Sequence, residues 1–184
     1  MRKKILYAIA PLFFLACNFL LPAPKQDENP LPASPKPASG QQTLSTPQTF
    51  TSSSRSFVIS PINKANGGLM TQLALEVKKA NMLGFAPFIE FDATWCPSCI
   101  AIDKSINARD PLTLKAFDSV YLIRADVDVW GWGDGKNFKF DAIPIYYKLG
   151  NNGNPTGAVM DGGVWGEDIP KNFAPALDKF FHTK

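Results

Sequence analysis

Two cysteines three positions apart, Cys96 and Cys99, are the residues of this sequence best suited to chemistry. Pro97 follows Cys96 and is typical of the first turn of a helix, where residues three apart share a face. The two sulfur atoms can therefore close into a disulfide and open again. Cys96, at the exposed end, would meet the positive end of the helix dipole and unpaired N–H groups, which favour a thiolate. Because Pro97 has no N–H, the donors would be Ser98 and Cys99. We expect Cys96 to attack and Cys99 to resolve.

Other interpretations of this pair remain open. A purely structural disulfide would close a very small loop and would constrain the unfolded chain little. A metal site would need more ligands, and the remaining candidates are Cys17 and the single histidine, His182. A domain that has lost redox activity and only binds partners is the third alternative. We predict no metal and no other cofactor.

The overall composition of the 184 residues describes one modest domain with an additional segment. Lys and Arg number 19 against 16 Asp and Glu, a net charge of +3. The excess is matched by Arg2, Lys3 and Lys4, so the rest of the chain is balanced and no nucleic-acid-binding surface is expected. A histidine-based catalytic triad is also not expected, because His182 is the only histidine.

The first residues have the pattern of an export signal. The basic residues are followed by an apolar stretch, 5–16, and then by Cys17. Residues 14–17, Phe-Leu-Ala-Cys, resemble the lipobox of bacterial lipoproteins, with Phe14 where leucine is usual. We therefore predict a lipoprotein signal peptide over 1–16 and lipidation of Cys17, which would leave the rest of the chain outside the cytoplasm. An ordinary cleaved signal or an uncleaved membrane anchor are the alternatives.

Residues 17–56 are rich in proline, serine and threonine and contain very few aliphatic side chains. Such a segment cannot bury a core, so we predict a disordered tether. The folded domain is then expected over 57–184. A lipid anchor at one end of the tether would hold this domain clear of the membrane.

The pattern of apolar residues in 57–184 predicts alternating helices and strands. Helices are expected at 69–80, from Cys96 onward, at 110–117, and after Asp168, whose side chain would cap the last helix. Strands are expected at 85–92, 120–127, 145–149 and 157–160. The first two should be parallel, because a helix joins them, and the last two should form an antiparallel hairpin. The order fits an α/β fold with a central mixed sheet and helices on both faces.

Two segments resemble the thioredoxin superfamily. Residues 91–99, Phe-Asp-Ala-Thr-Trp-Cys-Pro-Ser-Cys, are similar to its active site, and residues 142–145, Ala-Ile-Pro-Ile, are similar to the loop with a cis-proline opposite the cysteines. The resemblance covers about 69–182 and implies a thioredoxin-like fold. Within the superfamily, 110–128 looks most like the periplasmic domain of DsbD-type reductases.

The resemblance implies roles for three residues near the cysteines. Pro144 would carry the cis peptide bond, and the backbone of Ile143 would pair with a bound peptide as an added strand. Trp95 would shield the disulfide on one side. Alternatively, Pro144 is an ordinary trans residue at the start of a strand, and Trp95 is a core aromatic.

The resemblance also places Glu90 at the position of the buried acid beneath the thioredoxin disulfide. A buried carboxyl group has a raised pKa and could accept the proton of Cys99 as the mixed disulfide resolves. Arg124 stands where a lysine often accompanies that acid. A solvated or structural ion pair of Glu90 and Arg124, without a catalytic role, is the alternative.

Residues 129–138, a segment rich in tryptophan and glycine, form an unusual insertion after the second strand. The insertion should emerge at the carboxyl edge of the parallel strands, the same edge as the cysteines. Trp130 and Trp132 could then contact a partner, or they could fold back over the core.

Together these features predict a monomeric, membrane-tethered thiol:disulfide oxidoreductase of the bacterial envelope, on the periplasmic side. It would reduce protein disulfides through Cys96 and Cys99, and a membrane electron donor would restore the dithiol. With Pro97 and Ser98 between the cysteines, we expect a potential between about −270 and −120 mV, the thioredoxin and DsbA values. The alternatives are a disulfide oxidase or isomerase, and a non-enzymatic interaction lipoprotein.

Overall fold

A computed structural model describes residues 46–52 and 55–183 of the chain. The predicted signal peptide, the predicted lipidation site Cys17 and most of the predicted tether lie outside these residues. No helix in the described ranges is both long enough and apolar enough to cross a membrane.

The core is built around a six-stranded mixed sheet. Its strands are β1 (Gln48–Ser52), β2 (Arg55–Pro61), β3 (Ala86–Asp92), β4 (Val120–Asp126), β5 (Ile145–Leu149) and β6 (Pro155–Asp161). Their spatial order is β1-β2-β4-β3-β5-β6. The pairs β2–β4 and β3–β4 are parallel, and the other neighbours are antiparallel. The predicted parallel pair and the predicted hairpin are both confirmed.

Helices cover both faces of this sheet. They are α1 (Leu69–Leu83), α2 (Pro97–Asn107), α3 (Pro111–Ala116), α4 (Val127–Trp130) and α5 (Pro170–His182). The buried apolar side chains of α1 pack on one face. Those of α3 and α5, with Ile102 and Ile106 of α2, pack on the other face, whereas Cys99 of α2 joins the cluster of the first face. The predicted α/β fold with a central mixed sheet is therefore confirmed. The short helix α4 was not predicted.

Local residues explain most helix ends. Gly84 ends α1 with a left-handed φ of 75°, a conformation that glycine adopts without strain, and its N–H bonds to carbonyl groups of the last turn. Asp110 begins α3 by accepting a hydrogen bond from the Thr113 N–H. The helix α5 is present as predicted, but its predicted cap was wrong: Ile169 precedes the helix without a side-chain cap, and Asp168 bonds elsewhere, to Ser98 and Trp165.

The folded domain begins before residue 57, so the predicted boundary of the tether was wrong. Strand β1 and the first residues of β2 lie within the segment that was assigned to the tether. Phe50 faces Phe57 across the antiparallel pair, and their rings stack at 4.8 Å. The neighbouring threonines also suit a strand. A single aromatic residue among Ser and Thr therefore adds an edge strand to the sheet.

Candidate active site

The cysteine pair lies where β3 passes into α2. Cys96 is the residue before the helix, Pro97 occupies its first turn, and Cys96 and Cys99 form a disulfide with a Cα–Cα distance of 5.3 Å. The Cys99 N–H donates to Cys96 Sγ at 3.2 Å. The structure thus places Cys96 Sγ where an unpaired helical N–H can stabilise negative charge, as the spacing predicts.

The burial of Cys96 differs from the expectation of an exposed sulfur. Cys96 is 1% exposed and belongs to the same apolar cluster as Cys99 and Phe138, against which Phe140 and Ile143 also pack. Burial among apolar side chains disfavours a thiolate, whereas the helix start favours one. The ionisation of Cys96 therefore depends on the balance between its apolar burial and the helix start that it adjoins.

The loop before β5 lies beside the pair in the fold. The Ile143–Pro144 peptide bond is cis, as the resemblance implies, and Pro144 is buried. Ile143 is half-buried, and within the described residues its backbone N–H and C=O make no hydrogen bond. These two groups are available to an extended peptide.

Trp95 is a surface residue, so the interpretation as a core aromatic was wrong. It is 52% exposed, and its Nε1–H donates to Asp128 Oδ2 at 2.9 Å. Asp128 lies in α4, which directly follows β4. The unpredicted short helix therefore fixes the orientation of the tryptophan next to Cys96.

The two tryptophans of the 129–138 segment have different environments. Trp130 folds back, packs against the core and donates from Nε1 to the Ile62 carbonyl at 3.3 Å. Trp132 is 48% exposed and lies 6.4 Å from the Trp95 ring and 6.0 Å from the Phe140 ring, measured between centroids. Trp130 thus folds back over the core, whereas Trp132 is exposed and its contact with a partner stays a prediction. Trp95, Trp132 and Phe140 form a partly exposed group of rings that we call the aromatic ledge.

Glu90 lies on the sheet face that α2 covers and is almost completely buried. The parallel register sets it opposite Arg124, whose Nε–H donates to Glu90 Oε2 at 2.8 Å. Tyr146 donates its hydroxyl to Glu90 Oε1 at 2.7 Å. Burial raises the pKa of Glu90, and the Arg124 charge opposes that rise. The Glu90–Arg124 ion pair is thus buried and not solvated, and it coexists with the raised pKa; the catalytic role of Glu90 stays a prediction.

Two further acids share the same guanidinium group and were not predicted. Arg124 Nε lies 3.1 Å from Asp92 Oδ2, and Arg124 Nη2 lies 2.9 Å from Asp103 Oδ1. Burial raises the pKa of Asp92 to about 8; the Arg124 charge opposes this, and the nearby charges of Glu90 and Asp103 add to it. Position 103 is one helical turn after Cys99, so Asp103 lies next to Cys99 along one side of α2. The spacing of Asp92 in β3 and of Asp103 in α2 was the available sequence signal for these acids. Only the pairing register of β3 and β4 shows that both contact Arg124.

The four charged side chains form one satisfied network. Every buried side-chain nitrogen and oxygen in the described ranges has a hydrogen-bond partner. One guanidinium group faces three carboxyl groups, so retention of a proton by one acid is favourable. The network can hold a proton near neutral pH, which is what disulfide exchange requires at the resolving thiol. The described residues contain no group of three side chains arranged to hold a metal ion.

Ser98, between the cysteines, is connected to the loop before α5. Its hydroxyl donates to Asp168 Oδ2 at 2.9 Å, and the Trp165 Nε1–H donates to the other oxygen of Asp168 at 3.0 Å. Ser98 and Asp168 are both partly buried. This contact links residues 70 positions apart, so local spacing could not predict it.

Comparison with known proteins finds similarity to solved structures. No protein-family model matches the chain, and no curated protein matches it. The structure is similar to a thioredoxin from Trichomonas vaginalis, at 22% identity and a TM-score of 0.43, covering 66% of this chain and 96% of that one. It is also similar to oxidised thioredoxin O1 from Arabidopsis thaliana, at 16% identity and a TM-score of 0.34, covering 56% of this chain and 85% of that one. The sheet order, the helices on both faces and the cis-proline before β5 give the chain a thioredoxin-like fold, with a disulfide-bonded cysteine pair at the start of α2.

Proposed function

We propose that the chain is a thiol:disulfide oxidoreductase that reduces protein disulfides. The observation that carries this proposal is the Cys96–Cys99 disulfide at the start of α2, with the Cys99 N–H directed at Cys96 Sγ. A structural disulfide that closes so small a loop would add little stability, so an exchange function accounts better for its position.

The first step of the proposed reaction is attack on the client. The Cys96 thiolate attacks one sulfur of a client disulfide, and the client S–S bond breaks as the Cys96–client bond forms. The second client sulfur leaves as a thiolate and takes a proton from solvent. The donor at Cys96 Sγ and the positive end of α2 stabilise the attacking thiolate.

The second step releases the client. Cys99 loses its proton and attacks Cys96 Sγ, so the Cys96–Cys99 bond forms and the remaining client sulfur leaves to become a thiol. Two electrons and two protons pass in total from the cysteine pair to the client. Glu90, with its raised pKa, is the proposed acceptor of the Cys99 proton, and Arg124 holds the carboxyl group in place.

The client would bind over the aromatic ledge and the loop before β5. The free N–H and C=O of Ile143 suit an extended client segment that pairs as a short strand. The exposed faces of Trp95 and Trp132 offer apolar contact area on the same side. Backbone hydrogen bonds and apolar contacts do not depend on one client sequence. They would favour any client whose disulfide lies in an accessible, extended segment.

The location and direction of the reaction are proposed from the sequence. The signal-like residues 1–16 and the lipobox-like position of Cys17 support a tethered domain on the periplasmic side of the bacterial envelope. A membrane electron donor of the thiol class would reduce the Cys96–Cys99 disulfide after each turnover. Loss of labelled fatty acid from the chain in Cys17→Ser would support this attachment, and retained labelling would contradict it.

Reduction of insulin by dithiothreitol tests the proposed activity with the full chain in detergent. We expect turnover that disappears in Cys96→Ser and in Cys99→Ser. Cys17→Ser is the matched control, because it removes a cysteine outside the pair and should keep the activity. Equal rates in all four proteins would favour a non-enzymatic interaction lipoprotein.

The direction of electron flow is tested in cells. Trapping of Cys96 and Cys99 with an alkylating reagent at the moment of lysis reports their redox state. A mostly reduced pair supports the proposed reductase. A mostly oxidised pair would indicate an oxidase instead.

A further inference from the structure

The hydroxyl group of Ser98 bonds to Asp168 and not to Cys96 Sγ. It donates to Asp168 Oδ2 at 2.9 Å, and the contact is partly buried. Pro97, the other residue between the cysteines, has no N–H. The hydrogen bond that Cys96 Sγ accepts within residues 46–52 and 55–183 comes from the Cys99 N–H. The one side-chain donor between the cysteines is thus occupied by a carboxylate.

The position of Asp168 also places a negative charge at the start of α2. Ser98 lies in the first turn of this helix, where the positive end of the helix dipole stabilises a thiolate at Cys96. A carboxylate at the same helix end opposes that stabilisation. Trp165 holds the second carboxylate oxygen at 3.0 Å, so the side chain is fixed from both sides. A fixed charge in a partly buried site is screened less than one on the surface.

We propose that Asp168 is a positioning residue that, through Ser98, withholds a donor and adds repulsion at the Cys96 thiolate, and so keeps the cysteine pair strongly reducing. The inference rests on the proposed oxidoreductase function and specifies its direction. Asp168 would not touch the client.

The link between the thiolate and the redox equilibrium follows from the balance of the reaction. The chain disulfide and two glutathione thiols form the chain dithiol and one glutathione disulfide. The thiolate exists only in the reduced chain, so a group that disfavours it shifts this equilibrium towards the chain disulfide. A pair that prefers to be oxidised is a better electron donor.

Other charged groups surround the same end of the sheet. Arg124 with its three acids lies beneath α2, and Asp128 lies behind Trp95. Glu167 precedes Asp168 and is exposed. Among these groups, Asp168 is the one that bonds to a residue between the two cysteines.

The substitution Asp168→Asn tests the proposal because it keeps the shape and an acceptor oxygen but removes the charge. Glu167→Gln is the matched control, since it removes the same charge one residue away from the contact. Cys96 is followed in full chains that also carry Cys17→Ser and Cys99→Ser, by the pH dependence of its alkylation with iodoacetamide. We expect the midpoint to fall by about 0.5 to 1 pH unit in Asp168→Asn, the size of a charge effect at a helix start.

Equilibration with glutathione measures the second consequence, in chains that keep Cys99. We expect the equilibrium constant for reduction to rise about twofold to fivefold in Asp168→Asn, which corresponds to about 9 to 21 mV at 29.6 mV per tenfold. This change in the equilibrium constant is smaller than the change in the acid dissociation constant of Cys96, because only the fraction of Cys96 that is ionised at pH 7 contributes to it. Glu167→Gln should change neither quantity.

Several results would overturn the proposal. An unchanged midpoint in Asp168→Asn would do so, and so would an equal shift in Glu167→Gln. Ser98→Ala provides a second test if Asp168→Asn does not fold, because it removes the bond that holds the carboxylate. It should lower the midpoint by a smaller amount, and no change would contradict the role of Ser98. Absence of insulin reduction by the wild-type chain would refute the proposed function and not this inference, because the pH midpoint of Cys96 alkylation is measured without turnover.

Discussion

Replacement of Asp92 by asparagine should change how the stability of the protein depends on pH. The Asp92 side chain is 13% exposed, and its Oδ2 lies 3.1 Å from Arg124 Nε. Glu90 and Asp103 bind the same guanidinium group, so a third ionised carboxyl group is poorly compensated. Burial raises the pKa of Asp92 from 3.8 to about 8.

The size of the effect follows from proton linkage. Between pH 3.8 and about 8 the folded chain holds a proton on Asp92 that the unfolded chain has lost. The stability contributed by Asp92 is therefore complete below about pH 3.8 and is lost as the pH rises towards 8, by about 1.4 kcal/mol per pH unit. Asparagine has no such proton. The free energy of unfolding of Asp92→Asn, relative to wild type, should thus increase by about 3 kcal/mol from pH 5 to pH 7.

Urea denaturation of the full, oxidised chain at pH 5, 6 and 7 measures this difference. Asp134→Asn is the control, because Asp134 accepts three backbone hydrogen bonds and its pKa is lowered. Asp134 is ionised in both states over this range, so its substitution should shift all three values equally. If the curves of Asp92→Asn and wild type run parallel, Asp92 does not retain its proton and the description of the acid cluster is wrong.

Three further predictions concern proton transfer, client binding and the core. Glu90→Gln should slow resolution of the mixed disulfide but not its formation, as measured by acid quenching; unchanged turnover would remove Glu90 from the mechanism. Trp132→Ala should lower kcat/KM severalfold for insulin but not for a small disulfide such as hydroxyethyl disulfide. The control Trp130→Phe changes a ring that packs on the core and should leave the ratio of the two kcat/KM values unchanged. Equal losses on both substrates in Trp132→Ala would exclude a binding role for Trp132. Phe173 is fully buried in α5, so Phe173→Ala should reduce the free energy of unfolding by about 3 to 5 kcal/mol. Met82 is 82% exposed, so the control Met82→Ala should change the free energy of unfolding little. Similar losses in the two variants would contradict the placement of α5.

The sequence predicts the features of this site that depend on local spacing. The cysteines, Pro97 and the apolar strand before them form one continuous segment, so their relation requires no distant contact. Gly84 and Asp110 mark helix ends by their own conformational preferences. From α1 onward, the order of strands and helices apart from α4 follows from the periodicity of apolar residues, whereas β1 and β2 were not predicted.

Features that depend on tertiary contacts were not predictable in the same way. Asp103 and Asp92 meet at Arg124 only because β3 and β4 pair in one register and α2 crosses above them. Asp168 has the residue type of a helix cap, but it lies one residue before the cap position of α5, and its side chain accepts hydrogen bonds from Ser98 and Trp165 instead. The burial of Cys96 likewise depends on side chains from distant segments.

The most direct test of the account is whether Cys96 forms a mixed disulfide with a protein client. The reduced Cys99→Ser chain, also carrying Cys17→Ser, is mixed with oxidised insulin, quenched with acid and separated by mass. We expect a stable adduct of one chain with an insulin peptide, joined through Cys96, because the resolving thiol is missing. The corresponding Cys96→Ser chain should form little adduct, since Cys99 lies within the helix. Absence of an adduct in Cys99→Ser, or faster adduct formation through Cys99, would contradict the proposed chemistry.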